Sequence, residues 1–404
     1  GATTLIERFF AGDQLAFKQV VNSDGSVSSD AYDNAGHLLQ FAIRHADGSY
    51  DQFNFDSSGV LTSETQRAPD GSRQIDTYGI VGEDYTSQHV VTDTSGHSVL
   101  VEQYRGDGSL LDKQTADPGG VTTLDQYDTS GHLTQETITQ NDGSVVQSAY
   151  AADGTLASET QRHADGSRDI YTYGIAGKPY SSQHVFNDAS GHSLLIEQYR
   201  SDGSVLDKQT VDSSGVKTLD RYDSAGQLTQ QTVIQTDGTY VQSNYAADGS
   251  LASQTTRNLD GSRTVDTYGI TGQAYSARHD LINPSGHTVA TTFDNKDGSH
   301  TMTAYASGVT LTSTAGNDVM NSAGGDTFVF TQTQPSGHDV INNFRVGDAA
   351  GHDLLAVSST AASDFAHLDV QVVGHDTVVD LGHGASVTLA GVTAPLTPHD
   401  VLIV

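Results

Sequence analysis

The chain has 404 residues, of which 50 are acidic and 19 basic, and its formal net charge is −31. A surface of this sign repels nucleic acid and anionic lipid, so neither is expected as a partner. The sequence contains no cysteine, which excludes disulfides, thiolate metal sites and cysteine nucleophiles. No apolar run approaches the ~18 residues that a membrane-spanning segment needs, so membrane insertion is not expected either.

A 95-residue repeat dominates the chain up to about residue 307. The segment Ser63–Arg67 returns at 158–162 and, in altered form, at 253–257. The copies occupy about residues 7–101, 102–196 and 197–291, with a fading remnant to 307. Because self-similarity at a fixed period is typical of repeat architectures, the sequence predicts a β-repeat domain over 1–307 and a separate module over 308–404.

Glycine-containing turns punctuate each copy at eight positions, 11 to 14 residues apart. Asp-Gly-Ser turns, as at 47–49, alternate with Tyr-Asp-x-x-Gly turns, as at 32–36. These residues supply the positive φ angles that tight hairpins demand. The ~8-residue segments between them are rich in Thr, Val, Tyr and Ser and alternate with a period of two, which predicts strands.

The predicted fold class is therefore all-β, with a long antiparallel meander over the three repeats. The strands are polar on both faces, as in Leu156–Arg162, so a thick sandwich core is not expected. More than two dozen strands do not remain one flat open sheet. We therefore expect a coiled or elongated array. The alternative is a β-propeller with two four-stranded blades per copy.

The Tyr-Asp-x-x-Gly-x-Leu pattern resembles the YD repeats of Rhs proteins and insecticidal-toxin shells. The resemblance extends best over residues 30–75, 125–170 and 220–263. It implies a coiled array of β-hairpins and does not imply an activity.

The composition shifts near Gly308, after which the chain contains Ala315-Gly-Asn-Asp-Val-Met-Asn-Ser-Ala-Gly-Gly-Asp-Thr-Phe-Val-Phe330. Together with the later segments 337–344 and 376–392, this resembles the C-terminal RTX region of serralysin-type proteases, alginate epimerases and rhizobial glycanases. The resemblance implies a small β-roll or β-sandwich module that binds calcium. It also implies export by a type I secretion apparatus, so that the protein is secreted, extracellular or associated with the cell surface.

The calcium ligands of the RTX family map onto Gly316, Asp318, Gly324 and Asp326. In such rolls, aspartate carboxylates and backbone carbonyls surround a cation that prefers oxygen ligands. The sequence departs from the family because Asp318 and Asp326 are eight residues apart instead of nine. We therefore expect one or two calcium ions. The alternative is a metal-free hairpin that keeps the motif for packing.

The candidate ligand-binding residues recur at matched positions of the three copies. A predicted strand in each copy carries a Tyr-x-x-x-His pattern, whose two side chains share one face. These pairs are Tyr85 and His89, Tyr180 and His184, and Tyr275 and His279. Seven residues before each of these tyrosines is another: Tyr78, Tyr173 and Tyr268. An aromatic ring beside a neutral hydrogen-bond donor and acceptor is suited to binding a sugar ring.

Two arginines also flank one turn in every copy. They are Arg67 and Arg73, Arg162 and Arg168, and Arg257 and Arg263. Guanidinium groups bind uronate carboxylates through paired hydrogen bonds. The alternative is that the tyrosines pack across strands and the arginines neutralise acidic neighbours.

The leading functional hypothesis is a non-catalytic module that attaches a secreted bacterial protein to extracellular polysaccharide. No His-Glu-x-x-His, Gly-x-Ser-x-Gly or phosphate-loop motif is present, and no catalytic residue is assigned. One alternative is a polysaccharide lyase or epimerase that acts on uronic polymers with Tyr, His and Arg. Another is a purely structural adhesin stalk.

Overall fold

The computed structural model describes residues 3–330, 337–347 and 350–404. Contacts divide the chain into two compact units, residues 1–201 and 202–404. Within the described residues, the regular elements are β-strands apart from one 3-10 turn, Phe365–His367. This confirms the predicted all-β class. No helix in the described part of the chain is long and apolar enough to cross a membrane.

The first unit is an antiparallel meander in which each strand pairs with its neighbours in the chain. The strands are β1 (Thr4–Phe9), β2 (Leu15–Val21), β3 (Val27–Tyr32), β4 (Leu38–Arg44), β5 (Tyr50–Phe55), β6 (Leu61–Arg67), β7 (Arg73–Tyr78), β8 (Ser87–Thr92), β9 (Ser98–Tyr104), β10 (Leu110–Ala116), β11 (Thr122–Tyr127), β12 (Leu133–Thr139), β13 (Val145–Tyr150), β14 (Leu156–Arg162), β15 (Arg168–Thr172), β16 (Ser182–Asn187) and β17 (Ser193–Tyr199). The predicted meander is confirmed.

The hairpin that joins β5 to β6 shows how the turns work. Gly59 has a φ of 83°, and its N–H donates to the carbonyl of Asp56 over 3.0 Å. The Asp56 carboxylate accepts the N–H groups of Ser58 and Val60 at 2.8 and 2.9 Å. This is a type I turn closed by a left-handed glycine, which adds a bulge. The predicted positive φ at the turn glycines is confirmed along the meander.

The first unit has no hydrophobic core within its described residues. Its buried residues are Ala42, Thr92, Ser148 and Ser167, and most strand residues are half-buried on both faces. A packed sandwich would bury alternate side chains on one face, so this sheet is a single layer. The seventeen strands pair without interruption. The propeller alternative is therefore wrong for this unit, because it requires separate four-stranded blades.

The second unit continues with antiparallel strands. They are β18 (Val205–Val211), β19 (Lys217–Tyr222), β20 (Leu228–Ile234), β21 (Tyr240–Tyr245), β22 (Leu251–Arg257), β23 (Arg263–Thr267), β24 (Tyr275–Ile282), β25 (Thr288–Asn295) and β26 (His300–Ala304). Pairing changes from antiparallel to parallel between Ala304 and Thr310, the region where the composition shifts. The predicted domain boundary at 307 and 308 differs from the division of the compact units and stays a prediction.

The C-terminal strands alternate between two parallel sheets. They are β27 (Thr310–Thr312), β28 (Val319–Asn321), β29 (Thr327–Phe330), β30 (His338–Asn342), β31 (Leu354–Val357), β32 (Val370–Val373), β33 (Asp376–Gly382), β34 (Ala385–Leu389) and β35 (Val401–Ile403). One sheet runs β26-β28-β30-β34 and the other β27-β29-β31-β35. β32 and β33 extend the first sheet as antiparallel strands. This is the predicted β-roll.

The hydrophobic core of the second unit lies in this roll. Alternate side chains of each rung point inward, as in β29, where Phe328 and Phe330 are buried. Met320, Ile341 and Leu355 are fully buried with them. Each such side chain contributes roughly 1.5–3 kcal/mol by leaving water. The roll is thus stabilised by apolar packing, which the first unit lacks.

Leu355→Ala should therefore be far more damaging than the same change in the single-layer sheet. Leu355 is fully buried, and its truncation should cost about 2–5 kcal/mol in the free energy of unfolding. The matched control is Leu124→Ala in β11, where the leucine is half-buried and the loss should be below about 1.5 kcal/mol. Urea unfolding followed by circular dichroism measures both. Equal losses would contradict a core confined to the roll.

Removal of the Asp56 carboxylate should destabilise the chain only above acidic pH. Hydrogen bonds from Ser58 and Val60 hold the pKa of Asp56 below its usual value. A lowered pKa in the folded state stabilises the protein above the unfolded pKa of about 3.9, and the gain is lost as the pH falls through the folded pKa. The difference in urea midpoint between wild type and Asp56→Ala should therefore shrink as the pH falls from about 3.9 through the folded pKa. Asp84→Ala is the control. A constant difference would refute this role for Asp56.

Candidate functional site

The two faces of the sheet carry different candidate residues. In β7 and β8, Asp76 lies opposite His89, and Tyr78 lies opposite Ser87. Because side chains alternate along a strand, Asp76, Tyr78 and His89 share one face, which we name the histidine face. Arg73 lies opposite Arg67 on the other face, named the arginine face. The arginine pairs recur in the second and third copies, whereas the residue opposite the histidine is Tyr171 in the second copy and Asp266 in the third.

The structure therefore does not assemble the tyrosines, histidines and arginines into one patch. Arg73 and Tyr78 are the first and last residues of β7, about 17 Å apart along a strand. They also lie on opposite faces of a single layer. The tyrosines and the arginines are therefore separate candidate groups, because Arg73 and Tyr78 lie an odd number of positions apart along the strand.

The predicted Tyr-x-x-x-His strand is also wrong in its geometry. Tyr85 and Tyr180 precede the first residues of β8 and β16, since a wide turn with left-handed Gly79 and Gly82 occupies this region of the first copy. Tyr275 does begin β24, but a bulge separates it from Ala277. Its ring packs on Phe293 with the centroids 4.5 Å apart. The rule that residues four apart share a face does not apply across these irregularities.

Each repeat histidine is held by carboxylates on neighbouring strands. His89 Nδ1 lies 2.7 Å from Asp76. His184 Nε2 lies 2.7 Å from Asp169, and its Nδ1 lies 3.4 Å from Glu197. The His184 ring also stacks on Tyr171 with 4.5 Å between centroids. These contacts occupy the histidine side chains within the sheet, an arrangement that the sequence did not predict.

In the third copy, His279 bridges two carboxylates. Its Nδ1 lies 2.7 Å from Asp266 and its Nε2 lies 3.1 Å from Asp294, while Tyr268 meets the ring edge-on at 5.9 Å. Burial lowers the pKa of His279, but the hydrogen bonds to Asp266 and Asp294 outweigh burial and leave the pKa raised. The imidazole is therefore biased towards its charged form.

Among the candidate tyrosines, Tyr78 and Tyr173 are the more accessible, each 39% exposed. Burial and nearby carboxylates raise the pKa values of Tyr78 and Tyr173. Their hydroxyls consequently stay protonated at neutral pH and can donate hydrogen bonds. Each presents part of an aromatic ring on the histidine face.

Sequence reasoning missed a second polar group on the histidine face. Glu102 lies opposite His89, accepts a hydrogen bond from the Tyr104 hydroxyl at 2.8 Å and lies 3.5 Å from the Lys113 ammonium. Burial, with this bond, raises the pKa of Tyr104 to about 12. Tyr199 and Glu197 repeat the bond at 2.7 Å. The repeated Glu-Gln-Tyr segment was the available signal, since residues two apart share a strand face.

The arginine face shows an unusual charge arrangement. In all three copies the two candidate arginines are direct cross-strand partners beside a turn. Within the described residues, none of these six side chains has an ion pair or hydrogen bond to a carboxylate. They are Arg67, Arg73, Arg162, Arg168, Arg257 and Arg263. The alternative that they neutralise acidic neighbours therefore has no contact to support it.

Other arginines of the same chain do find partners. Arg221 lies 3.0 Å from Asp207 and Arg278 lies 3.0 Å from Asp280. Arg105 donates to the carbonyl of Leu110 at 2.7 Å. Like charges directly opposite each other are destabilising in a sheet. The matched pairs are thus places where the sheet sets two positive charges opposite each other without a carboxylate partner among the described residues.

The four predicted calcium ligands do not fit a calcium ion as they are arranged. Asp318 accepts the N–H groups of His300 and Thr314 at 2.8 and 2.6 Å. Asp326 accepts those of Val309 and Ala323 at 2.9 and 2.8 Å. Both oxygens of each carboxylate are therefore occupied by donors, whereas calcium needs six to eight free oxygen ligands.

The two predicted glycine ligands have a packing role instead. A Cβ atom at Gly316 would overlap the carbonyl of Gly298, and one at Gly324 would overlap the guanidinium of Arg345. Within the described ranges, no group of three or more His, Asp or Glu side chains is placed to hold a metal. Calcium binding stays a prediction without a site built for it.

No family model and no curated protein matches the chain. Among solved structures, TcdB2-TccC3-TEV aligns with 72% of this chain and 20% of its own length, at 12% identity and a TM-score of 0.15. A porin-like protein from Bacteroides uniformis aligns with 64% of this chain and 94% of its own, at 11% identity and a TM-score of 0.14. The chain spans about a fifth of the former. Similarity this low carries no argument, so the RTX and YD-repeat resemblances stay predictions.

The His279 imidazole should titrate above the usual value of about 6.5. Because its pKa is raised in the folded state, its contribution to stability is present below pH 6.5 and is lost as the pH rises through the folded pKa. Asp294→Asn removes one of the two carboxylates and should lower the His279 pKa. NMR titration of the histidine ring protons measures this, with exposed His97 as the internal control. An unchanged His279 pKa in Asp294→Asn would contradict the bridge.

Proposed function

We propose that the chain is a non-catalytic segment that binds anionic polysaccharide through its paired arginines. The observation that carries the proposal is the triple recurrence of a cross-strand arginine pair without a carboxylate partner among the described residues. Five of the six side chains are exposed, and Arg263 is half-buried. A chain with 50 acidic residues has ample means to neutralise them internally.

Uronate carboxylates suit this arrangement. The guanidinium group is a planar fork that binds a carboxylate through two parallel hydrogen bonds. Cross-strand partners have Cβ atoms about 4.5–5.5 Å apart, so two forks face the same stretch of a ligand. A polymer that presents a carboxylate on successive sugars would relieve the repulsion between the two arginines, and this supports a polyuronate over a neutral glycan.

The repeat adds multivalency to this contact. The pairs at 67 and 73 and at 162 and 168 are eight strands apart in the first unit, which corresponds to about 38 Å at the usual strand spacing. One long polymer can engage both, so weak contacts combine into a stronger one. Since the net charge is −31, the rest of the surface repels a polyanion. Binding should therefore be local and weaken with salt.

The lyase or epimerase alternative is less favoured by the geometry. Such a reaction needs a base and a group that neutralises the substrate carboxylate at one site. Here the arginines and the Tyr78 and His89 groups lie on opposite faces, so a carboxylate held by the arginines is out of reach of these side chains. Secretion, cell-surface location and type I export remain predictions that follow from the RTX resemblance.

Replacement of all six arginines by glutamine should weaken binding to alginate or polygalacturonate by about ten-fold or more, since each charged hydrogen bond is worth roughly 1.5–3 kcal/mol. Isothermal titration calorimetry at low salt measures this. Arg221→Gln is the matched control, because Arg221 is already paired with Asp207. It should bind as wild type does.

The six corresponding lysine substitutions keep the charge and remove the fork. The affinity of this lysine variant for alginate or polygalacturonate should lie between that of wild type and that of the glutamine variant. Equal binding by wild type and the glutamine variant would contradict the proposal. Absence of binding to any polyuronate would instead favour a structural stalk, and unsaturated products with an ultraviolet absorbance would favour a lyase.

A further inference from the structure

Five aspartates are almost completely buried in the C-terminal roll, with exposed fractions between 0% and 3%. They are Asp318, Asp326, Asp339, Asp353 and Asp400. A buried carboxylate is costly unless hydrogen bonds or a cation satisfy it. In the RTX resemblance, the partner of such carboxylates is calcium. The contacts of this chain show a different partner.

Backbone and hydroxyl donors occupy both oxygens of every one of these carboxylates. Beyond Asp318 and Asp326, described above, Asp339 accepts the Asp318 N–H and the Ser313 hydroxyl, both at 2.8 Å. Asp353 accepts the N–H groups of Asp326 and Arg345 at 2.8 Å.

Asp400 completes the set at the last rung. Its carboxylate accepts the N–H of Gly347 at 2.6 Å and the N–H of Thr397 at 2.8 Å. Its own carbonyl accepts the N–H of Leu355 at 2.8 Å. Each of the five aspartates thus accepts hydrogen bonds from the turn of its own rung, from the turn of a neighbouring rung, or from both.

These bonds connect one rung of the roll to the next. The N–H of Asp318 donates to the side chain of Asp339, and the N–H of Asp326 donates to the side chain of Asp353. Asp318 directly precedes β28 and Asp339 lies in β30, and these two strands pair in parallel. The carboxylates consequently join successive turns, which is what a calcium ion between turns would do.

A fixed cation also lies at one predicted calcium turn. The guanidinium of Arg345 lies so close to Gly324 that a Cβ atom there would overlap it. A guanidinium stays charged at all ordinary pH values. It would repel a divalent cation from the carbonyl groups of this turn. Arg345 therefore already supplies positive charge to this turn.

We propose that aspartate caps join the successive turns of the roll and that the roll folds without calcium. The caps take over the connection between turns, and Gly316, Asp318, Gly324 and Asp326 do not form a calcium site. This inference concerns the assembly of the roll and is independent of polysaccharide binding by the repeats.

The test is the thermal midpoint of the full chain in EDTA, in calcium and in magnesium at equal ionic strength. A site filled to a hundred times its dissociation constant should raise the midpoint by about 5 °C or more. We expect the calcium and EDTA midpoints to agree within about 2 °C, with magnesium equal to calcium. A calcium-specific rise of about 5 °C, or loss of strand signal in EDTA, would overturn the proposal.

Asp353→Asn separates the two explanations further. It removes the charge of a cap with minimal change in shape, so its midpoint should fall by the same amount in EDTA and in calcium. A loss confined to the calcium buffer would instead assign Asp353 to a metal site. Asp369→Asn is the control, because Asp369 is an exposed aspartate of the same module and its replacement should leave the midpoint unchanged. If Asp353→Asn does not fold, Ser322→Ala, which removes hydroxyl bonds to Asp326 and Asp353, replaces it with the same expected outcomes.

Discussion

The backbone ladder, closed at each end by a glycine turn, is the interaction on which the repeat depends. A sheet without a packed layer behind it gains little from apolar burial, so strand pairing must be kept in register by other means. Left-handed glycines set each bulge, and aspartates such as Asp56 satisfy the N–H groups that the turn leaves open. Since neither face has to enclose a core, both faces are free to carry polar and charged groups.

The roll follows the opposite principle. Its rungs alternate buried and exposed residues, and Phe328, Ile341 and Leu355 make an apolar interior. That interior also contains aspartates, whose carboxylates are satisfied by N–H groups of the turns. Hydrophobic packing supplies the stability here, while the buried carboxylates fix the position of each turn relative to the next.

The turns and the strands were predictable because they depend on local signals, such as Asp-Gly-Ser turns and two-residue alternation, whereas the roll was expected from the RTX resemblance. The assignment of side chains to the two faces of the sheet was not predictable. When both faces are polar, nothing in the pattern fixes which side a residue takes, and one bulge reverses it. Tyr275, displaced by a bulge, and Tyr85, outside its strand, were misplaced for this reason. The arginine pairing across a turn was visible from spacing, whereas its lack of carboxylate partners required the structure.

The proposed polysaccharide binding depends on the uncompensated arginine pairs. The most direct measurement is an NMR titration of the arginine side-chain Nε–H resonances with a defined oligouronide. The resonances of the six paired arginines should shift together, while that of Arg221, bound to Asp207, should not move. Shifts confined to other arginines, or no shift at an oligouronide concentration that saturates binding, would contradict it.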